Sequence, residues 1–244
     1  TYIAPPGIQF IDPTPPNGTV TSNTSAQINV SISNNDMNLF TFNWNGANYS
    51  YYNSSLTLML NLGNNSAIGD SSTVAVDLSR YGNNGTLING VTWNSSGKYG
   101  SAAQFNGVNQ IINFSSASSS FISATAATIS VWIYPMGATT PGVANSYDGR
   151  GIIGDVGGYF GIYRTNVTGT GDFIWVYSWD TNKDNIGITY NTNEWTHIVL
   201  VHNSTTLSAY KNGQFVSSVA SGSTGDLTTE LQIGKAYGTY YFNG

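Results

Sequence analysis

Apolar and polar residues alternate with a period of two along most of this chain, and no stretch settles into the 3.6-residue period of an amphipathic helix. The clearest case lies at 193–218. Trp195, His197, Val199 and Val201 take one side, and Thr196, Ile198, Leu200 and His202 take the other. A polar break at 203–206 leads to a second strand at 207–210. Asn212-Gly213 then supplies the positive backbone angles of a tight hairpin, and 214–219 runs back. Upstream, the apolar run ATISVWIYP (127–135) predicts a strand containing Trp132, followed by an irregular loop at 136–150. Near the start, Ile8, Phe10 and Ile11 form a short strand stopped by Asp12-Pro13-Thr14-Pro15-Pro16, because proline removes ladder donors. Ile28, Val30 and Ile32 share one face of the next strand, as do Phe40, Phe42 and Trp44 of the one after; Asn45-Gly46 turns the chain into 49–52. The segment 115–123 reads as a polar loop with at most one helical turn. The 28 glycines and the further Asn-Gly pairs beginning at Asn84, Asn89 and Asn106 fit many short strands joined by tight turns. The fold class expected is all-β, an antiparallel β-sandwich.

Several segments, in order, resemble one family. Trp195-Thr196-His197 before an alternating strand, then Tyr210-Lys211-Asn212-Gly213, resembles the core hairpin of laminin-G-like, concanavalin-A-like jelly rolls. Residues 76–93 resemble that family's Asp-x-Ser-x-x-Gly-Asn-x-Gly segment, 97–114 its Gly-x-Ala-x-x-Phe-Asp-Gly strand pair, and 231–244 its penultimate strand. The resemblance starts at Leu56, with 56–62 as the first strand, and implies a jelly roll over 57–244. Residues 1–56 resemble part of an immunoglobulin-like unit, as in modular surface proteins. The family's last strand has no counterpart after Phe242-Asn243-Gly244, so unpaired edges are expected beside 56–62 and in the N-terminal unit, filled by downstream residues or a neighbouring subunit.

Composition narrows the partners. Only 8% of residues are charged, against roughly 25% in typical soluble domains. The formal charge is −5 and the isoelectric point about 4.6, with the seven basic residues scattered singly. Nucleic acid and anionic membrane surfaces are therefore poor partners. The absence of cysteine excludes disulfides and thiolate chemistry. No apolar run reaches the about 18 residues of a membrane span. The pattern Asn-x-Ser/Thr occurs at Asn17, Asn23, Asn29, Asn48, Asn53, Asn64, Asn84, Asn94, Asn113, Asn166 and Asn203. With so little charge, these glycosylation acceptors favour an extracellular or cell-surface glycoprotein.

Candidate chemistry is sparse. Glycoside hydrolysis needs two carboxyl groups facing each other across the scissile bond. The glutamates are only Glu194 and Glu230, in no paired pattern, and Asp172, Asp180 and Asp184 sit at strand ends, so no catalytic residue is expected. His197 and His202 are an odd number of residues apart on one strand and point to opposite faces. The resemblance makes the Trp-x-His histidine a packing residue. It also implies a possible calcium ion held by Asp77 and by Asn106, which stands where the family has an aspartate; no other cofactor is expected. In DFIWVYSWD (172–180), Phe173, Trp175, Tyr177 and Trp179 share a strand face opposite Ile174, Val176 and Ser178. Such a row is either a stacking platform for sugar rings or the bulky half of a core. As a platform it would be Trp175, Tyr177 and Trp179, with Tyr163, Arg164, Asp180 and Lys183 as polar partners. The expected function is non-catalytic recognition of a glycan or surface glycoprotein. A structural subunit of a surface layer, stalk or filament, contacting copies of itself, is the rival. A polysaccharide hydrolase ranks third for want of carboxylates.

Overall fold

The computed structural model describes residues 7–23, 26–33, 40–44, 46–123, 125–137, 150–167, 171–179, 183–224, 227–235 and 241–244. The chain divides into two compact units, Thr1–Leu56 and Thr57–Gly244. In the first, β1 (Gly7–Ile11) pairs antiparallel with β2 (Asn29–Ser33), and β3 (Phe40–Trp44) with β4 (Ala47–Tyr52). The four segments read as extended from the sequence thus form two separate two-stranded ladders among the described residues. They leave Ile8 57% and Phe10 71% exposed.

The second unit begins with β5 (Val74–Ala75) and β6 (Gly85–Ile88), then a hairpin of β7 (Thr92–Asn94) and β8 (Ala102–Gln104). After it come β9 (Ile111–Ala117), β10 (Ala127–Ile133), β11 (Arg150–Asp155), β12 (Phe160–Val167), β13 (Gly171–Trp179) and β14 (Lys183–Thr189). The last four are β15 (Thr196–His202), β16 (Thr206–Lys211), β17 (Gln214–Ala220) and β18 (Glu230–Ile233). They form a larger sheet in the order β14-β13-β12-β11-β18-β9-β6-β5 and a smaller one in the order β10-β15-β16-β17. The unit is an antiparallel β-sandwich, the fold class expected from the sequence.

Strand register shows why the sequence alternates. One line across the larger sheet reads Leu87, Ile112, Ile233, Ile153, Ile162, Val176 and Ile186, each opposite the next. Ile198, Leu200, Leu207 and Ala209 belong to the same core from the smaller sheet, all fully buried. Because side chains alternate, the line one residue away must face outward: Thr86, Asn113, Gln232, Gly154, Gly161, Tyr177 and Asn185.

The expected first strand at 56–62 does not form. Leu58, Leu60 and Leu62 pack on the core, yet the backbone makes one bridge, Leu60 opposite Asp77. The Met59 N–H is taken by the Asp77 carboxylate instead of a strand carbonyl, and Leu62 and Asn64 have left-handed φ angles of 53° that end the extended run. At the other end, Gly244 exchanges backbone hydrogen bonds with Phe105, and Phe242 is buried in the core.

Candidate functional site

The outward face of the larger sheet carries the row singled out from sequence. Ile174, Val176 and Ser178 are buried on the core side, which places Phe173, Trp175, Tyr177 and Trp179 on the outward register. Within the row Tyr177 is 4% exposed, and Tyr163 on the neighbouring strand is 6% exposed. Their rings meet edge to face at 6.0 Å. A β-carbon on Gly154 would lie 3.1 Å from the Tyr163 hydroxyl, and one on Gly161 3.1 Å from its ring, so this glycine pair makes the space in which Tyr163 lies. Burial raises the Tyr163 phenol pKa well above its ordinary 10.0, with Asp155 and Tyr177 adding to the effect. Among the described residues Tyr163 Oη and Gln232 Oε1 are buried without a hydrogen-bond partner, while Gln232 Nε2 donates to Asn113 Oδ1 at 2.8 Å.

Arg164 must be removed from this group. Adjacent strand residues point to opposite faces, so beside an outward Tyr163 it points inward, and it is fully buried. Its guanidinium donates to the carbonyls of Met136 and Gly137 and to the Tyr190 hydroxyl; it fastens the start of the 136–150 segment instead of reaching a ligand. Asp180 lies outside the described residues, as do the side chains of Trp175, Trp179, Lys183 and Asn166.

The side chains expected to hold calcium make hydrogen bonds within the chain. Asp77 is buried, and its carboxylate accepts from the N–H groups of Met59, Ser79 and Asn83 at 2.8 Å each and from Ser79 Oγ at 2.6 Å. Asn106 Oδ1 accepts from the N–H groups of Val108 and Asn109. Asp155, fully buried, closes the β11–β12 turn by accepting from Tyr159 and Phe160; burial raises its pKa, and these bonds with those of Thr229 and Gly157 pull it back. Among the described residues no group of three metal-ligating side chains comes together.

The exposed aromatic surface lies on the other sheet. With Ile198, Leu200 and Ala209 turned to the core, Trp132 faces His197 on the outside, and Ser130, Val199, Tyr210 and Phe215 form the next line across all four strands. Trp132 and His197 stack at 5.0 Å and 24°. Tyr134 and Trp195, one step further along, have ring centroids 5.3 Å apart, and Tyr210 and Phe215 lie 5.6 Å apart. The β7–β8 turn, Gly97-Lys98-Tyr99-Gly100, closes through a bond from the Gly97 N–H to the Gly100 carbonyl with Gly100 at φ 83°. It sets Lys98 Nζ 4.5 Å above the Trp132 ring and the Tyr99 ring edge-on to it at 5.9 Å. Ser130 Oγ meets His197 Nε2 at 2.9 Å, and partial burial lowers the His197 pKa below 6.5. At the two extremes, Tyr99 is 69% and Phe215 59% exposed.

A family model described as the concanavalin A-like lectin/glucanases superfamily matches residues 105–244, more than half of the chain. The chain belongs to this superfamily. The matched stretch takes in β9 to β18, which is all of the smaller sheet and six of the eight strands of the larger one. No curated protein matches. Among solved structures, domain 4 of an extracellular arabinanase from Geobacillus stearothermophilus, in complex with arabinotriose, is 18% identical with a TM-score of 0.47, over 68% of this chain and 79% of that one. The binding domain of botulinum neurotoxin DC, in complex with SialylT, is 14% identical at TM-score 0.46, over 78% of this chain and 44% of its own. The receptor-binding domain of botulinum neurotoxin type G is 16% identical at TM-score 0.39, over 70% and 45%. This superfamily member thus spans less than half the length of the toxin domains.

Sequence reasoning passed over Trp132 and took His197 for core packing. The usable signal was a pair of two-residue spacings, Ser130-x-Trp132-x-Tyr134 and Trp195-x-His197, on strands that pair antiparallel. Register puts both sets on one face, and a sheet needs only one face for its core.

Proposed function

We propose that this superfamily member is a non-catalytic glycan-binding module that works outside the cell. The observation that carries the reading is the outward face of the smaller sheet, where exposed Tyr99 and Phe215 flank the Trp132–His197 stack and hydroxyl and imidazole groups lie between them. Sugar rings offer apolar C–H faces to aromatic rings and hydroxyls to such polar neighbours. Absence of catalysis is supported by how the acids are used: Asp70, Asp77 and Asp155 hold backbone N–H groups of their own loops, and Glu194 binds Asn191. Work outside the cell is supported by the near-absence of charge and by sequons on exposed Asn17, Asn23 and Asn64. Affinity electrophoresis through gels containing soluble polysaccharides tests the reading. Retardation by at least one polysaccharide, weakened in Tyr99→Ala with an unchanged melting temperature, is expected; migration unaffected by every polysaccharide removes the reading.

A second reading, a building block of a surface layer or filament, draws on exposed Ile8 and Phe10 in the N-terminal unit. Sedimentation velocity over a concentration series tests it, and a monomer throughout removes it.

A further inference from the structure

We propose that the ligand of the smaller sheet's outward face is an internal stretch of an uncharged polysaccharide, laid across the strands from Tyr99 to Phe215, rather than a chain end or a single sugar. This rests on the glycan-binding reading and adds ligand class and binding mode to it.

The extent of the platform comes first. Ser130, Val199, Tyr210 and Phe215 face one another across four consecutive strands. Neighbouring strands lie about 4.8 Å apart, so the line spans roughly 14 Å. The Trp132–His197 pair sits two residues along the strands from it, a displacement of about 7 Å. Such an area takes several linked sugar rings, and one ring would leave most of the aromatic surface in water.

Openness comes second. The most exposed aromatics, Tyr99 and Phe215, stand at opposite margins, one on the β7–β8 turn and the other on edge strand β17. A site that reads a chain end encloses it with convergent polar groups, whereas this sheet face is exposed at both margins, and a polymer can continue past them.

Charge comes third. The polar side chains on the outward register include the hydroxyls of Thr128, Ser130, Ser208 and Ser218 and the imidazole of His197, whose pKa is lowered by partial burial. Lys98, at this margin, already lies over Trp132, and Glu194, beyond Trp195, accepts from Asn191. In a chain of net charge −5, a surface of rings and hydroxyls suits an uncharged polymer better than a uronate or sulfate ester.

Isothermal titration with glucose and xylose, then with cello-, laminari- and xylo-oligosaccharides up to the hexasaccharide, is the test. In the series that binds, affinity should rise about tenfold or more from the monosaccharide to the hexasaccharide, and capping the reducing end should change nothing. Tyr99→Ala and Phe215→Ala should each weaken the hexasaccharide about tenfold and leave circular-dichroism melting unchanged. Equal affinity for monosaccharide and hexasaccharide, dependence on a free end, or preference for polygalacturonate or alginate overturns this inference and leaves glycan binding standing. Binding of no sugar overturns both, as does a dimer of the full chain that Phe215→Asp dissociates, because a second copy would then own the face.

Discussion

Single residues on this scaffold are decided by alternation and by what their polar atoms already hold. Tyr163 and Arg164 are neighbours, and that alone sends one outward and the other into the core. The Tyr163 phenol is held above its ordinary pKa by burial, so the folded state keeps a proton that the unfolded chain loses near pH 10. Its contribution is complete below pH 10 and is lost as pH rises through the raised folded value. Melting temperatures from pH 8 to 11 should therefore fall less steeply in Tyr163→Phe than in the parent. At pH 7 the same substitution should be neutral within about 1 kcal/mol, because it deletes a hydroxyl with no hydrogen-bond partner among the described residues. A loss well beyond that would show that the hydroxyl is bonded in solution. Asp77 is the opposite case. Asp77→Ala strands the N–H groups of Met59, Ser79 and Asn83 and should cost about 3 kcal/mol in urea unfolding. The loss should be the same with calcium or with a chelator; calcium-dependent stability would return Asp77 to the role expected from sequence.

At the scale of elements, β15 shows how much of this fold the sequence made legible. The bounds of β15, β16 and β17 and the Asn212-Gly213 turn, with φ of 50° and 79°, follow from alternation and turn chemistry that are both local. The strand at 56–62 failed because its fate depended on Asp77, whose carboxylate displaces a ladder bond that no local pattern reveals. The proposed site is hidden from sequence for a related reason. The row at Phe173, Trp175, Tyr177 and Trp179 is conspicuous within one strand, but exposure depends on what lies over a face, and Tyr177 is covered. The aromatic face of the smaller sheet is assembled from β10, β15, β16, β17 and the β7–β8 turn, with one or two rings on each, so it shows only when the strands are set in register. The two faces of β15 should respond differently: Leu200→Ala, from the core, should cost about 2–5 kcal/mol, and Val199→Ala, from the outward side, less than about 1.5. Comparable losses at both positions would mean that the outward face is buried in solution.

For the whole molecule, low charge and superfamily membership describe a surface that relies on amides, hydroxyls and aromatic rings. Sequon placement then matters, because attachment of a glycan needs an asparagine side chain free at the surface. Asn113 lies mid-line on the larger sheet with its carbonyl bonded to Gln232, whereas Asn17, Asn23 and Asn64 are exposed. Protein from its native source should have a mass above the 26.0 kDa of the polypeptide, with peptide mapping finding Asn113 bare. The smaller sheet's outward face carries the account, and an NMR titration of the isotope-labelled chain with a hexasaccharide from the polysaccharide that retards it tests that claim most directly. Shifts should concentrate on Tyr99, Ser130, Trp132, His197, Tyr210 and Phe215 and leave β12, β13 and β14 still; shifts confined to β12, β13 and β14, around Tyr163 and Tyr177, would contradict it.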